Sequence, residues 1–343
     1  MNDTFIKACL GEEVDYTPVW LMRQAGRYMK QYQKIRSRVD FLTLCKTPEL
    51  AAEVSLQPVD VLGVDAAILF SDILIPVEAM GMHLRFLEKK GPVFRKPVRN
   101  KSDVNRLIIP DTEESMPFVL ETIKILRREL ETRVPLIGFS GAPFTLATYI
   151  IEGGSSRNFI HTKTMMYSDP ELFSSLMDKI TSTVIGYLSS QIRAGAQVVQ
   201  LFDSWAGILS PLDYERIIFP YIKTVIKAIK PLGAPVIYFV NNCAGLLDII
   251  KGAGADVIGI DWRVDMGGAV KRLGKKVSVQ GNLDPCVLLG PGDRIEERVR
   301  DIMEKASSSR GHIFNLGHGI LPETDVDNAV AMVEAVHRLS GKT

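Results

Sequence analysis

The chain has 343 residues, 46% of them hydrophobic and 24% charged, so it can bury a large core without staples. Its 41 basic and 40 acidic residues nearly cancel to +1, which argues against a surface dedicated to nucleic acid or to an anionic membrane, although a local basic pocket would vanish in that sum. The 4 cysteines are scattered, with no CxxC or CxH pair, so reduced thiols are expected rather than a disulfide framework or a closed zinc site. No secretory signal opens the sequence and no apolar run approaches the ~18 residues of a membrane span, so the expected compartment is the cytoplasm.

In chain order, short apolar runs end one after another in polar or glycine-bearing turns. They are 18–22, 65–70, 135–139, 197–202, 235–240, 256–260, 277–280 and 312–316. Most are continuously apolar rather than alternating, which suits strands of a parallel sheet covered on both faces. Helical periodicity fills the intervals. A 3.6-residue stripe runs from Pro170 to a stop at Gly195, and Tyr214 to Ile229 reads similarly, with Pro220 expected to kink or split it. Further helices are expected over 116–130, 295–303 and 326–339, the last capped by Thr324 or Asp325. Between Asp72 and Pro135, the segment from His83 reads as an inserted hairpin turning at Lys90-Gly91-Pro92. Strand and helix alternate eight times, and no GxGxxG follows the first strand. The expected fold is therefore α/β: a single-domain (β/α)8 TIM-type barrel over 1–343, with the hairpin inserted after strand 2.

Barrel chemistry sits at the C-terminal strand ends, so the residues following each strand are the candidates. They include Arg23 to Arg27, Ser71-Asp72, Ser140 to Pro143 leading to Tyr149, Asp203-Ser204-Trp205, Asn241-Asn242, Asp261-Trp262, Gly281-Asn282 and Gly317-His318-Gly319. Arg23 and Arg27 are four apart, and on a helical turn they would form a two-armed carboxylate clamp. Asp72 could cap a helix or accept N–H donors in a site. His318 lies between two glycines that let a ligand approach. His83, His161 and His337 show no metal-ligand spacing and are expected on the surface or in structural roles.

Thr17-Pro-Val-Trp-Leu-Met-Arg-Gln-Ala-Gly-Arg-Tyr28 resembles the N-terminal signature of the uroporphyrinogen decarboxylase family. Segments 68–74, 135–149, 152–156, 280–285 and 314–319 are similar to that family as well, so the resemblance spans nearly the whole chain. It implies a cofactor-free and metal-free homodimer that removes the four acetate carboxyls of uroporphyrinogen III to give coproporphyrinogen III in haem synthesis. It also implies substrate binding by Arg23, Gln24, Ala25, Gly26, Arg27, Asp72, Tyr149, Ser204 and His318, with Asp72, Arg23 and Arg27 as the catalytic candidates. Two other readings stay open. A corrinoid-linked methyltransferase of the same superfamily would need zinc held by His and Cys, yet Tyr238 to Cys243 contains no histidine. A non-catalytic tetrapyrrole-binding protein would keep the arginines but need no acid group.

Overall fold

The computed structural model describes residues 2–87 and 91–341. Seven parallel strands form one sheet in the order β1 (Ala67–Ile68), β4 (Leu136–Gly141), β5 (Val198–Asp203), β6 (Val236–Val240), β7 (Val257–Gly259), β8 (Ser278–Gln280) and β9 (His312–Ile313). The expected first strand is reduced to a single parallel bridge between Val19 and Phe314. It nonetheless closes the ring. Phe314 N–H donates to Pro18 O at 2.8 Å on one side, and Asp65 N–H donates to Val19 O at 2.8 Å on the other. The Asp65 carboxylate holds the segment in place by accepting from Val19 N–H at 2.8 Å and from the Tyr16 hydroxyl at 2.8 Å, and His337 Nε2 lies 2.7 Å from it. His337 is therefore structural, as its spacing suggested.

Two apolar layers follow from this closure. The barrel interior is filled by Trp20, Met22, Ile137, Val198, Ile237, Phe239, Val257 and Ile313, and Phe5, Ala8 and Cys9 of the helix Thr4–Leu10 join the same cluster. The larger layer lies between the strands and the surrounding helices. β4 to β8 are buried along nearly their whole length, as unbroken apolar runs require. Inside the barrel runs a polar chain: Trp20 Nε1 donates to Gln280 Oε1 at 2.9 Å, and Gln280 Nε2 to Gln200 Oε1 at 3.1 Å, while Gln200 Nε2 is buried without a partner among the described residues.

The expected helices form. Pro170–Ala194 stops at Gly195, and Asp325 rather than Thr324 caps Val326–Ser340 by accepting from Asp327 N–H. Pro220 does split its segment: a π-helical turn over Tyr214–Ile218 gives way to the helix Phe219–Ile229, whose first turn tolerates the proline's missing N–H. The inserted hairpin is present as β2 (Leu84–Leu87) paired antiparallel with β3 (Gly91–Phe94). The turn expected at Lys90-Gly91-Pro92 falls partly outside the described residues. Gly91 and Pro92 are already in β3, and Lys90 lies outside the described residues. The hairpin docks on the end of the helix Pro143–Glu152, where Phe94 N–H donates to Gly153 O at 2.9 Å.

Candidate active site

The arginine segment does not form the helical turn on which a clamp was expected. Arg23 takes a left-handed backbone, φ 63°, so it and Arg27 do not stack one turn apart. Gln24 holds this shape. Its buried side chain accepts from Leu21 N–H at 3.1 Å and donates to Ala66 O at 3.0 Å, while the Tyr28 hydroxyl donates to Gln24 O at 2.6 Å. The Gln24 amide, expected among the substrate contacts, is thus engaged by the loop's own frame. The bend sends the Arg23 side chain across Gly319, where an added Cβ would lie 2.4 Å from Arg23 Cδ. Gly317 is required in the same way, because a Cβ there would meet Trp262 N at 2.2 Å. The glycines flanking His318 therefore make room for two neighbouring loops.

Arg23 becomes the hub of the site. Its charge acts on Asp72, Tyr149 and His318, which follow three different parts of the barrel. Asp72 comes after β1 and keeps part of its surface open. Burial pushes its carboxyl up to about 6, against the lowering effects of a hydrogen bond from Leu74 N–H and of nearby Arg23. Leu74 N–H reaches Oδ1 at 2.8 Å, while Oδ2 has no protein donor among the described residues. The helix that follows, Ile75–Ala79, begins after Leu74 and has no side-chain cap, so Asp72 is not its N-cap as expected; its bond to Leu74 N–H closes a local turn and leaves the site role geometrically available. His318 is lowered to about 4 by burial and then by the Arg23 and Arg263 charges, so it is a neutral imidazole near pH 7. Tyr149 is raised by burial and remains a hydroxyl donor.

Ser204 is half-buried after β5, and among the described residues its hydroxyl makes no hydrogen bond to these groups. Ala25 and Gly26 are half-buried in the arginine loop. Arg27, like Arg23, is exposed, and its charge acts on Tyr32, whose ring packs 5.7 Å from Phe70. Arg23 and Arg27 thus face different neighbours.

Several contributors gave no sequence signal. Phe139, Phe202 and Phe239 come from three adjacent strands and meet edge to face at centroid distances of 5.7 and 6.1 Å. Phe239 continues the contact to His318 at 6.3 Å, and Trp205 packs 6.1 Å from Tyr149. These residues read as strand apolarity in sequence, and only the closed ring turns them into an aromatic floor. Next to Phe202 at the end of β5, Asp203 is fully buried and also pushed up to about 6, mainly by burial. Thr145 donates to its Oδ1 at 2.7 Å and Tyr238 to its Oδ2 at 2.9 Å. Two surface clefts lined by Phe118 and Arg193, and by Glu171 and Lys179, lie among the outer helices, away from these strand ends. No group of three or more His, Cys, Asp or Glu side chains converges to hold a metal among the described residues, and Cys9, Cys45 and Cys243 are buried free thiols.

A closed parallel barrel with a carboxylate, a guanidinium, a phenol and a neutral imidazole gathered at its C-terminal strand ends defines a barrel enzyme with a polar site over an aromatic floor. The family model described as Uroporphyrinogen decarboxylase (URO-D) matches residues 1–339, and the chain belongs to that family. The chain is 56% identical over 342 residues to the uroporphyrinogen decarboxylase of Geobacter metallireducens, covering 100% of each chain. It is also 56% identical over 340 residues to that of Carboxydothermus hydrogenoformans, covering 99% of this chain and 97% of the relative. Among solved structures, a methyltransferase from Methanosarcina mazei superposes with a TM-score of 0.83 at 21% identity, covering 98% of this chain and 97% of that one, which bears on the fold alone.

Proposed function

We propose that this chain is a uroporphyrinogen decarboxylase, converting uroporphyrinogen III to coproporphyrinogen III by removing four acetate carboxyls as CO2. Family membership supports the reaction, and one observation supports the site: the left-handed bend at Arg23, which lays its side chain beside Gly319 with its charge acting on Asp72, Tyr149 and His318. On this reading the chain is one working unit over 1–343, a homodimer of the cytoplasm acting on a small molecule, with neither nucleic acid nor membrane as partner. The homodimer rests on the family resemblance. Among the described residues, no helix is long and apolar enough to cross a membrane.

The chemistry accounts for the residue types. Loss of CO2 from an acetate leaves an electron pair that needs a sink. Protonating the adjacent pyrrole carbon supplies one, because the ring becomes iminium-like and takes up the pair. The methylene is then protonated and the ring proton returned, so each acetate consumes one proton net and releases one CO2. The protein must stabilise positive charge on the ring. Asp72 is mostly ionised near pH 7 with a folded value of about 6, and it keeps acceptor capacity beyond its bond to Leu74. A carboxylate offers about four lone-pair sites, so it can collect the pyrrole N–H donors of a macrocycle domed over it. Arg23 binds a substrate carboxylate beside it, and Arg27 another farther out. His318 and Tyr149 donate to carboxylates as neutral groups. The Phe139, Phe202 and Phe239 rings, packed edge to face, give the macrocycle an apolar floor and exclude water from the cationic ring.

Anaerobic incubation of the pure protein with uroporphyrinogen III, with products followed by mass, tests this reading. Four successive losses of CO2 are expected. Binding without any loss would favour the non-catalytic alternative instead.

A further inference from the structure

Arg263 follows Asp261-Trp262 at the end of β7, with nothing in its sequence context to single it out. Its guanidinium lies flat over the Trp262 ring, 3.6 Å from the ring centre. Nη1 is 3.3 Å from Asp261 Oδ1 and 3.3 Å from Asn241 Oδ1, and the Arg263 backbone N–H donates to Asp261 Oδ1 at 3.0 Å. Asp261 is itself fully buried and fixed from the other side by Cys243 N–H at 2.6 Å. Asn282 Nδ2 secures the turn by donating to Asp261 O at 2.9 Å and Val264 O at 2.7 Å. A rigid loop therefore holds one edge of the guanidinium. Its Nε and Nη2 have no protein acceptor among the described residues, and the side chain is 45% exposed.

The position of this arginine matters as much as its rigidity. Trp262 meets His318 edge to face at 5.9 Å, and the Arg263 charge acts on His318 as the Arg23 charge does. The two guanidiniums thus flank the His318 loop, Arg23 from the side of Asp72 and Arg263 from the side of β6 and β7. A pure surface ion pair would leave the fork free to rotate and would gain little. Here the fork is stacked, held at one edge and left open at the other, which suits bidentate capture of a planar anion. We propose that Arg263 binds a peripheral carboxylate of the macrocycle on the β6–β7 side of the site, one that is not being decarboxylated while Asp72 and Arg23 hold the reacting pyrrole. The inference rests on the decarboxylase reading and adds a substrate contact to it.

Arg263→Gln and Arg263→Lys test it with uroporphyrinogen III under anaerobic conditions. Removing the charged fork is expected to raise KM by roughly tenfold and leave kcat within about twofold, with Lys restoring part of the loss. A brace for Asp261 would behave differently, lowering kcat, KM affinity and the melting temperature together, and that result would overturn the proposal. An unchanged KM in a folded Arg263→Gln protein would overturn it as well. If Gln does not fold, Lys carries the same comparison: a KM increase alone supports the contact, and wild-type KM contradicts it. Absence of turnover in the wild-type protein would instead count against the decarboxylase reading.

Discussion

The ends of β1 and β5 each carry a carboxyl pushed up to about 6 by burial, yet the two are satisfied in opposite ways. Asp203 is sealed in and accepts a hydroxyl on each oxygen, from Thr145 and Tyr238, and Tyr238 is backed by Tyr214 at 2.7 Å. Asp72 has one backbone donor, one oxygen without a protein donor, and an opening toward Arg23. A raised pKa therefore does not identify a functional acid by itself. What differs is the acceptor capacity left over for a ligand. Asp203 is completed by the protein, and on the proposed function Asp72 is completed by what binds.

The comparison is broken most severely at Asp72. Asp72→Asn keeps the volume but replaces the anion with an amide, and kcat/KM should fall at least about a hundredfold, ~2.7 kcal/mol. Stability should move the other way. Because folding raises the Asp72 pKa, its contribution to stability is fully present below the ordinary carboxyl range and is lost as pH rises through about 6. The charge is thus a burden to the fold near pH 7, and Asp72→Asn should melt no lower than wild type there. A purely local role for Asp72, accepting from Leu74 N–H, would instead leave Asp72→Asn close to wild type in kinetics and melting, with about 1 kcal/mol of stability lost only in Asp72→Ala.

The next effects belong to Arg23. Arg23→Ala should lower kcat/KM by more than about tenfold, and Gly319→Ala should approach that loss by pushing the side chain aside while leaving Arg23 itself in place. Arg27→Ala should lose less than Arg23→Ala, since Arg27 sits with Tyr32 rather than with Asp72. Equal losses in both arginine variants would restore the symmetric clamp that the sequence suggested.

The smallest expected effect separates the two carboxyls by pH. With Asp72 ionised in the active form, kcat/KM should decline below pH about 6 as that group takes up a proton. Asp203 titrates in the same range but lies outside the reaction, so Asp203→Asn should keep the acidic limb and change kcat/KM by no more than about threefold. Loss of the limb in Asp203→Asn would assign it to the wrong carboxyl.

Much of this frame was legible because buried parallel strands leave unbroken apolar runs, and seven of the eight runs appear as strands in register. The first does not extend beyond one bridge, because Asp65 and backbone bonds on both sides hold Val19 where a longer ladder was expected. The spacing of Arg23 and Arg27 suggested a helix face, but spacing carries no information about a left-handed residue stabilised by the distant contacts of Gln24. Arg263 was invisible for a related reason. A stacked, half-anchored guanidinium depends on Asn241 and Asp261, which come from different strand ends. Trp205 and the phenylalanine floor could not be told from ordinary core residues until the ring had closed.

On the proposed function, Asp72 recognises the pyrrole N–H groups, separately from the arginines that recognise carboxylates. Coproporphyrinogen III and its oxidised porphyrin carry the same peripheral carboxylates, but only the reduced, flexible ring can present four N–H donors to one acceptor. Binding of both by wild type and Asp72→Asn, measured anaerobically for the reduced ring, isolates that contribution. Wild type should prefer the porphyrinogen by at least about tenfold, and Asp72→Asn should lose most of that preference. An equal preference in both proteins would contradict the account.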